Sequence, residues 1–250
     1  MLELKNVSSG YAKQTVLDGV TSSFGKGRLT GVIGVNGSGK STLLKAALGI
    51  LPISQGEIKI DGENLSSMSR NGIAKKIAYL PQGRNTPDMT VEQMVLHGRF
   101  PYLSYPRRYS SRDKEVARDA METVGIAELA HKPLYALSGG MRQNAYIAMA
   151  LAQDTDYILL DEPTTYLDIS HQLDLMRLLR TLADKGRGIV AVMHDLPMAF
   201  NYSDEILVID NGKVKAQAKP CEICDTPIVK EVFNVQIVRL DKGRFCYVEI

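Results

Sequence analysis

The octet Gly34-Val35-Asn36-Gly37-Ser38-Gly39-Lys40-Ser41 has the spacing G-x-x-x-x-G-K-S, that of a phosphate-binding loop. Before it runs Leu29-Thr30-Gly31-Val32-Ile33, apolar enough to read as a buried strand. After it comes Thr42-Leu43-Leu44-Lys45-Ala46-Ala47-Leu48, with the apolar spacing of a helix. Strand, glycine loop and helix start make up the context that the motif needs. Glycines let the backbone wrap a phosphate chain with successive N–H groups turned inward, and the helix N-terminus adds partial positive charge. Lys40 is expected to reach the β- and γ-phosphates and the Ser41 hydroxyl to ligate Mg2+; the loop residues and Thr42 form the expected nucleotide contact. An ordinary glycine-rich turn would match this pattern in roughly one chain in a hundred of this length.

The chain has 250 residues, 44% of them hydrophobic, enough for one large domain or two closely joined lobes. Lys and Arg number 30 against 28 Asp and Glu, a net charge of +2, which gives no sign of a nucleic-acid surface. Arg107, Arg108 and Arg112 form a local cluster and read as a solvated loop. Met1-Leu2-Glu3-Leu4-Lys5 alternates like a strand rather than a signal peptide. No apolar run approaches the roughly 18–20 residues that span a bilayer. The expectation is a soluble, cytoplasmic chain. Three cysteines do not build a disulfide framework. Cys221-Glu222-Ile223-Cys224 lacks further ligands at zinc spacing, which leaves ordinary thiols or a metal or redox role.

The first sixty residues read as β-rich, with short strands around Leu2, Leu4, Val16-Leu17, Val20 and Phe24. Glu57 to Gly62 alternates and ends in an Asp-Gly turn signal. Asp88 to Gln153 reads as mostly helical, with a capping box at Thr90-Val91-Glu92-Gln93 and a helix from Ser111 to Val124 whose face carries Val116, Ala120 and Val124. Strands return at Tyr157–Leu160 and Gly188–Met193. Between them Ile169 to Leu182 is helical through Leu173, Met176, Leu179 and Leu182, which argues for a parallel sheet. Glu205 to Ala216 reads as a hairpin around Asn211-Gly212. The picture is an α/β core interrupted by a helical insertion.

Two further motifs carry chemistry. Tyr157-Ile158-Leu159-Leu160-Asp161-Glu162 is an apolar strand ending in two carboxylates. Asp161 is expected to face the Mg2+ sphere, and Glu162 the attacking water as its general base. Leu137-Ser138-Gly139-Gly140-Met141-Arg142-Gln143 opens a helix through Ala145, Met149 and Leu151, and its Ser-Gly-Gly is a second anion site. Two phosphate-binding elements with one carboxylate pair suggest that the second element serves the nucleotide of another copy.

In this order the motifs resemble those of ATP-binding cassette (ABC) ATPases over the whole chain. The resemblance implies a P-loop α/β core with an antiparallel β subdomain and an inserted α-helical subdomain. It implies a single domain over 1–250, with lobes at 1–87 and 154–250 and a helical lobe at 88–153. Tyr11 stands where the family stacks adenine, and Gln82, in Tyr79-Leu80-Pro81-Gln82, matches the glutamine loop that touches Mg2+ and the attacking water. Asp168, in Thr164-Thr165-Tyr166-Leu167-Asp168, matches the D-loop. His194 matches the switch histidine that holds the γ-phosphate and orients Glu162. Glu162, His194 and Gln82 are then the catalytic set; Ser41, Gln82 and, through water, Asp161 hold Mg2+. Ser138, Gly139, Gly140, Met141 and Asp168 bind ATP across a dimer. Met141 departs from the family's L-S-G-G-Q, and a thioether is a poor substitute for an amide.

His97-Gly98-Arg99-Phe100-Pro101-Tyr102-Leu103 and Pro163 to Gln172 are similar to importers of iron–siderophore complexes, haem and cobalamin. The resemblance implies ATP as substrate and two permease subunits and a substrate-binding protein as partners, with no nucleic acid. It places the chain on the cytoplasmic face of the membrane. Phe100, Pro101, Tyr102 and Leu103 are either an exposed patch for the permease or core of the helical lobe. The rival is a soluble ABC ATPase acting on DNA, ribosomes or cluster assembly. The insertion here is too short for the coiled coil of the repair proteins, and there is one cassette where translation factors usually carry two.

Overall fold

The computed structural model describes residues 1–12, 14–83, 86–165, 167–240 and 243–249. Its centre is a six-stranded sheet. β3 (Leu29–Ile33), β6 (Ile77–Leu80), β7 (Tyr157–Asp161), β8 (Gly188–Val192) and β9 (Glu205–Asp210) are parallel, and β10 (Lys213–Ala218) adds an antiparallel edge in the order β10-β9-β3-β8-β7-β6. β3, β7 and β8 are buried at every position, the pattern of parallel strands covered on both faces. Alternation divides them between two cores. Ile158 and Leu160 join one cluster with the helices of the insertion, while Tyr157 and Leu159 join the other.

The second cluster lies under a four-stranded antiparallel sheet, β2 (Gln14–Phe24), β1 (Leu2–Tyr11), β4 (Ile53–Ile60) and β5 (Glu63–Asn64), in that order. β1 and β2 have 10 and 11 residues, longer than the short strands expected from their scattered apolar positions. Asp61 and Gly62, with φ of 51° and 86°, turn β4 into β5. The helix α1 (Lys40–Ala47) is packed into the same cluster through Leu43, Leu44, Ala46 and Ala47.

The remaining α-helices among the described residues are α2 (Arg70–Ala74), α3 (Val91–His97), α4 (Ser111–Thr123), α5 (Gly139–Ala152), α6 (Ile169–Asp184), α7 (Leu196–Tyr202), α8 (Pro220–Cys224) and α9 (Ile228–Phe233), with a hairpin of β11 (Val235–Arg239) and β12 (Phe245–Glu249) after them. The capping box at Thr90 forms, with Gln93 bonded back to the Thr90 N–H at 2.9 Å. In α4 the buried face is Asp113, Ala117, Ala120 and Met121, and Val116 is only half-buried. Among the described residues no helix is long and apolar enough to cross a membrane. Cys224 Sγ bonds the Ile237 carbonyl at 3.4 Å. Among the described residues no group of three or more His, Cys, Asp or Glu could hold a metal.

Candidate active site

β3, β8, β7 and β6 are neighbours and parallel, so their carboxyl ends lie along one edge of the sheet. That edge is where open α/β sheets bind ligands. It gathers the loop after Ile33, Asp161 and Glu162 at the end of β7, His194 just beyond β8, and Gln82 just beyond β6. A cavity of about 590 Å³ opens there, lined by Tyr11, Val16, Asn36, Gly37, Gly39, Lys40, Ser41, Thr42, Gln82, Glu162 and His194. Gly34, Val35 and Ser38 belong to the same loop but lie off the cavity wall, as does Asp161.

The loop is bridged from within by Lys40. Lys40 is buried and its Nζ donates to the carbonyls of Gly34 at 2.8 Å and Val35 at 2.9 Å. Burial pushes the Lys40 ammonium below its ordinary value, against the pull of Glu162 and Asp161. Gly37 and Gly39 have φ of 78° and 107°, which a side chain would resist. Tyr11 ends β1 with its ring exposed at the cavity rim, and Lys45 Nζ donates to its hydroxyl at 3.4 Å.

The two carboxylates have different surroundings. Asp161 is 2% exposed and accepts from Ser41 Oγ at 3.0 Å and Tyr79 Oη at 3.3 Å. Burial pushes its carboxyl up, the two hydroxyls oppose this, and the neighbouring Glu162 adds to the rise. A buried carboxylate joined to a hydroxyl at a phosphate loop fits a hard divalent cation, which would supply the missing positive charge. Glu162 follows with φ of 51°, a left-handed turn that few side chains adopt. The turn brings its carboxylate to the cavity wall. Oε1 lies 2.5 Å from His194 Nε2; Oε2 accepts from Gln82 Nε2 at 2.5 Å and from Thr165 Oγ1 at 3.3 Å. Gln82, Glu162 and His194, from three strand ends, thus form one cluster able to orient a water and take its proton.

The Ser-Gly-Gly element stands apart from this cavity. Ser138 caps α5, its Oγ accepting from the Met141 N–H at 3.3 Å, and Met141 is exposed. Gly139 borders a second cavity of about 300 Å³ that shares Gln82 and Glu162 with the first. Asp168 caps α6 and faces His171 rather than the phosphate loop. Tyr166, quoted with that loop, lies outside the described residues. Sequence reasoning passed over Tyr79, Thr165 and Gln143; Gln143 Nε2 donates to the Pro163 carbonyl at 2.7 Å and ties α5 to the Glu162 turn. Tyr79 stood three residues before Gln82 in the quoted motif, but nothing in its spacing pointed at Asp161.

Fold and site together define a P-loop nucleotide-binding protein with a carboxylate at the wall of its phosphate-loop cavity. Comparison with known proteins gives the family: the chain belongs to the ABC transporter family, whose match covers residues 17–165. It is 43% identical over 237 residues to a petrobactin import ATP-binding protein of Bacillus anthracis, covering 94% of this chain and 87% of that one. It is 39% identical over 239 residues to the ferric enterobactin transport ATP-binding protein of Escherichia coli, covering 95% and 88%. Among solved structures it resembles an ABC transporter described as metal-chelate type, in an inward-facing conformation, with a TM-score of 0.84, 27% identity and coverage of 99% and 97%. It also resembles a dimeric bacterial ABC transporter cassette, with a TM-score of 0.77, 27% identity and coverage of 88% and 99%. The chain is therefore an ABC ATPase.

Proposed function

We propose that this chain is the ATP-hydrolysing subunit of an importer of an iron chelate, a siderophore or a related metal-organic nutrient. It would work as a homodimer at the cytoplasmic face of the membrane, bound to two permease subunits and fed by a substrate-binding protein. The carrying observation is the Gln82–Glu162–His194 cluster at the mouth of the phosphate-loop cavity, in a chain whose relatives are siderophore import ATP-binding proteins. ATP would lie with adenine on Tyr11 and its phosphates in the 34–41 loop against Lys40 and Thr42. Ser41, Gln82 and, through water, Asp161 would hold Mg2+, which when bound neutralises phosphate charge. Glu162 would take the proton of the attacking water, His194 would orient Glu162 and hold the γ-phosphate, and Gln82 would position the water. Ser138, Gly139, Gly140, Met141 and Asp168 would complete the site of the partner copy, and the likeness to a dimeric cassette supports this.

Phe100 and Tyr102 support the permease contact. They are 45% and 37% exposed, yet Tyr102 is anchored, its hydroxyl donating to the carbonyls of Gln153 at 3.0 Å and Asp154 at 3.2 Å. The test is uptake of radioactive iron by proteoliposomes holding the subunit with its cognate permease and binding protein. ATP-dependent uptake of a ferric siderophore, lost with Glu162→Gln, is expected. ATP turnover with no stimulation by loaded binding protein, for any ferric chelate, would overturn the reading.

A further inference from the structure

Gly140 has ordinary helical backbone inside α5. A glycine there costs a helix about 1 kcal/mol relative to alanine, so space rather than conformation is what its missing side chain supplies. His171 occupies that space. A β-carbon built on Gly140 would lie 2.8 Å from Cδ2 of His171, and 3.1 Å from both Cγ and Nε2. The ring is half-exposed but bonded through its other nitrogen. Its Nδ1 lies 2.8 Å from each carboxylate oxygen of Asp168. Asp168 is itself fixed as the N-cap of α6, accepting from the His171 backbone N–H at 2.9 Å and the Ser170 hydroxyl at 2.8 Å. These bonds, the backbone one foremost, hold the Asp168 carboxyl down at about 2. One residue past the first turn, Gln143 is tied to the Pro163 carbonyl. The amino end of α5 thus meets Pro163, in the segment after β7 that also carries Glu162, and His171, in the first turn of α6.

We propose that His171 is a positioning residue of the signature motif: clamped by Asp168, its imidazole face abuts Gly140 and fixes where α5 presents Ser138 and its first-turn amides to the nucleotide held by the partner copy. This rests on the two-chain site proposed above. A purely structural part for His171, as a partner of the α6 cap, would alter stability alone. Positioning instead separates ATP use by the dimer from ATP binding by the monomer, because the phosphate loop lies elsewhere in the chain.

The experiment compares His171→Ala, His171→Asn and His171→Phe by MgATP-dependent turnover and by binding of a fluorescent ATP analogue to the monomer. His171→Ala should raise the ATP concentration for half-maximal turnover about fivefold, the scale of one lost contact, with a smaller change in maximal turnover and unchanged monomer affinity. His171→Asn keeps a donor for Asp168 but not the ring, and should behave as His171→Ala. His171→Phe keeps the ring face and should recover part of the loss. Gly140→Ala should cost less on a His171→Ala background than alone, the non-additivity of a direct contact. Unchanged half-maximal ATP in His171→Ala, strictly additive effects with Gly140→Ala, or full activity of His171→Asn would each overturn the proposal. Ser138→Arg serves as control. If it turns over ATP normally, the two-chain site is wrong and the proposal falls with it. If it is inactive while His171→Ala matches the parent, only the positioning role falls.

Discussion

Asp161 and Glu162 are adjacent, and the fold sends them to different environments. Asp161 continues the buried strand and sits beneath Ser41, where burial raises its carboxyl. Glu162 leaves the strand through a left-handed turn and meets Gln82 and His194. A carboxylate pair split this way can divide metal support from base chemistry. Both acids were legible in the sequence as the end of an apolar strand. The direction in which Glu162 turns was not, because composition and spacing carry no information on φ at one residue. Met141 is the residue-scale oddity. It stands at the third position of α5, exposed, its backbone N–H donating to Ser138 Oγ. Met141→Gln adds an amide where the proposed partner copy closes. The expected result is tighter ATP-dependent dimerisation and a half-maximal ATP concentration lowered about fivefold, equivalent to about 1 kcal/mol, the scale of one hydrogen bond. Steady-state turnover and light scattering measure both; no change in either makes the methionine a neutral replacement.

At the scale of elements, hydrophobic spacing located the strands and helices nearest the motifs, passed over α2, α7, α8, α9, β6 and the β11–β12 hairpin, and read the face of α4 only in part. Of the expected stripe Ala120 and Val124 lie in the core and Val116 is only half-buried, while the packed face also includes the acid Asp113. A pattern that counts carboxylates as solvent-facing cannot anticipate a buried one with a partner. That partner is Arg99, whose Nε donates to Asp113 Oδ1 at 3.0 Å and whose Nη1 donates to the Ala152 carbonyl at 2.9 Å. The guanidinium also stacks on Tyr102 at 3.9 Å from the ring centroid. One buried cation therefore joins α3, α4 and α5 and seats the exposed Phe100–Tyr102 turn. Arg99→Met keeps the stem and strands the acid, so a loss of about 3–5 kcal/mol is expected by urea denaturation. The pH dependence gives the sign. Burial pushes the Asp113 carboxyl up, but bonds from Ser110 and Arg99 outweigh it and hold the group below its ordinary value. Its contribution is then present above the unfolded value of about 3.9 and lost as pH falls through the lower folded value. The gap between Arg99→Met and the parent should narrow in that acid window; a gap independent of pH would remove Asp113 from the account.

At the scale of the whole molecule, four neighbouring parallel strands bring loops from distant parts of the sequence to one edge, and this is why a phosphate loop near residue 40 meets a histidine at 194. The Ser138 helix lies off that cavity, which is what a site completed by a second copy requires. Glu162→Gln tests the proposed arrangement. The amide keeps the size of the carboxylate and can still meet Gln82 and His194, but it cannot take a proton from water at neutral pH. Lys40 and the 34–41 loop are untouched, so MgATP binding by the monomer should be unchanged. Turnover should fall by about two to four orders of magnitude, the range that a general base supplies. Because ATP is no longer consumed, the closed pair should accumulate, and light scattering should find a dimer with MgATP but a monomer with MgADP, since only the γ-phosphate would reach the partner's α5. Where the isolated subunit closes only on its permease, the same contrast is read as nucleotide trapped in the reconstituted complex. Retention of ADP as readily as ATP in that complex would show that the γ-phosphate does not hold the two copies together, and the role proposed for Ser138 would be withdrawn.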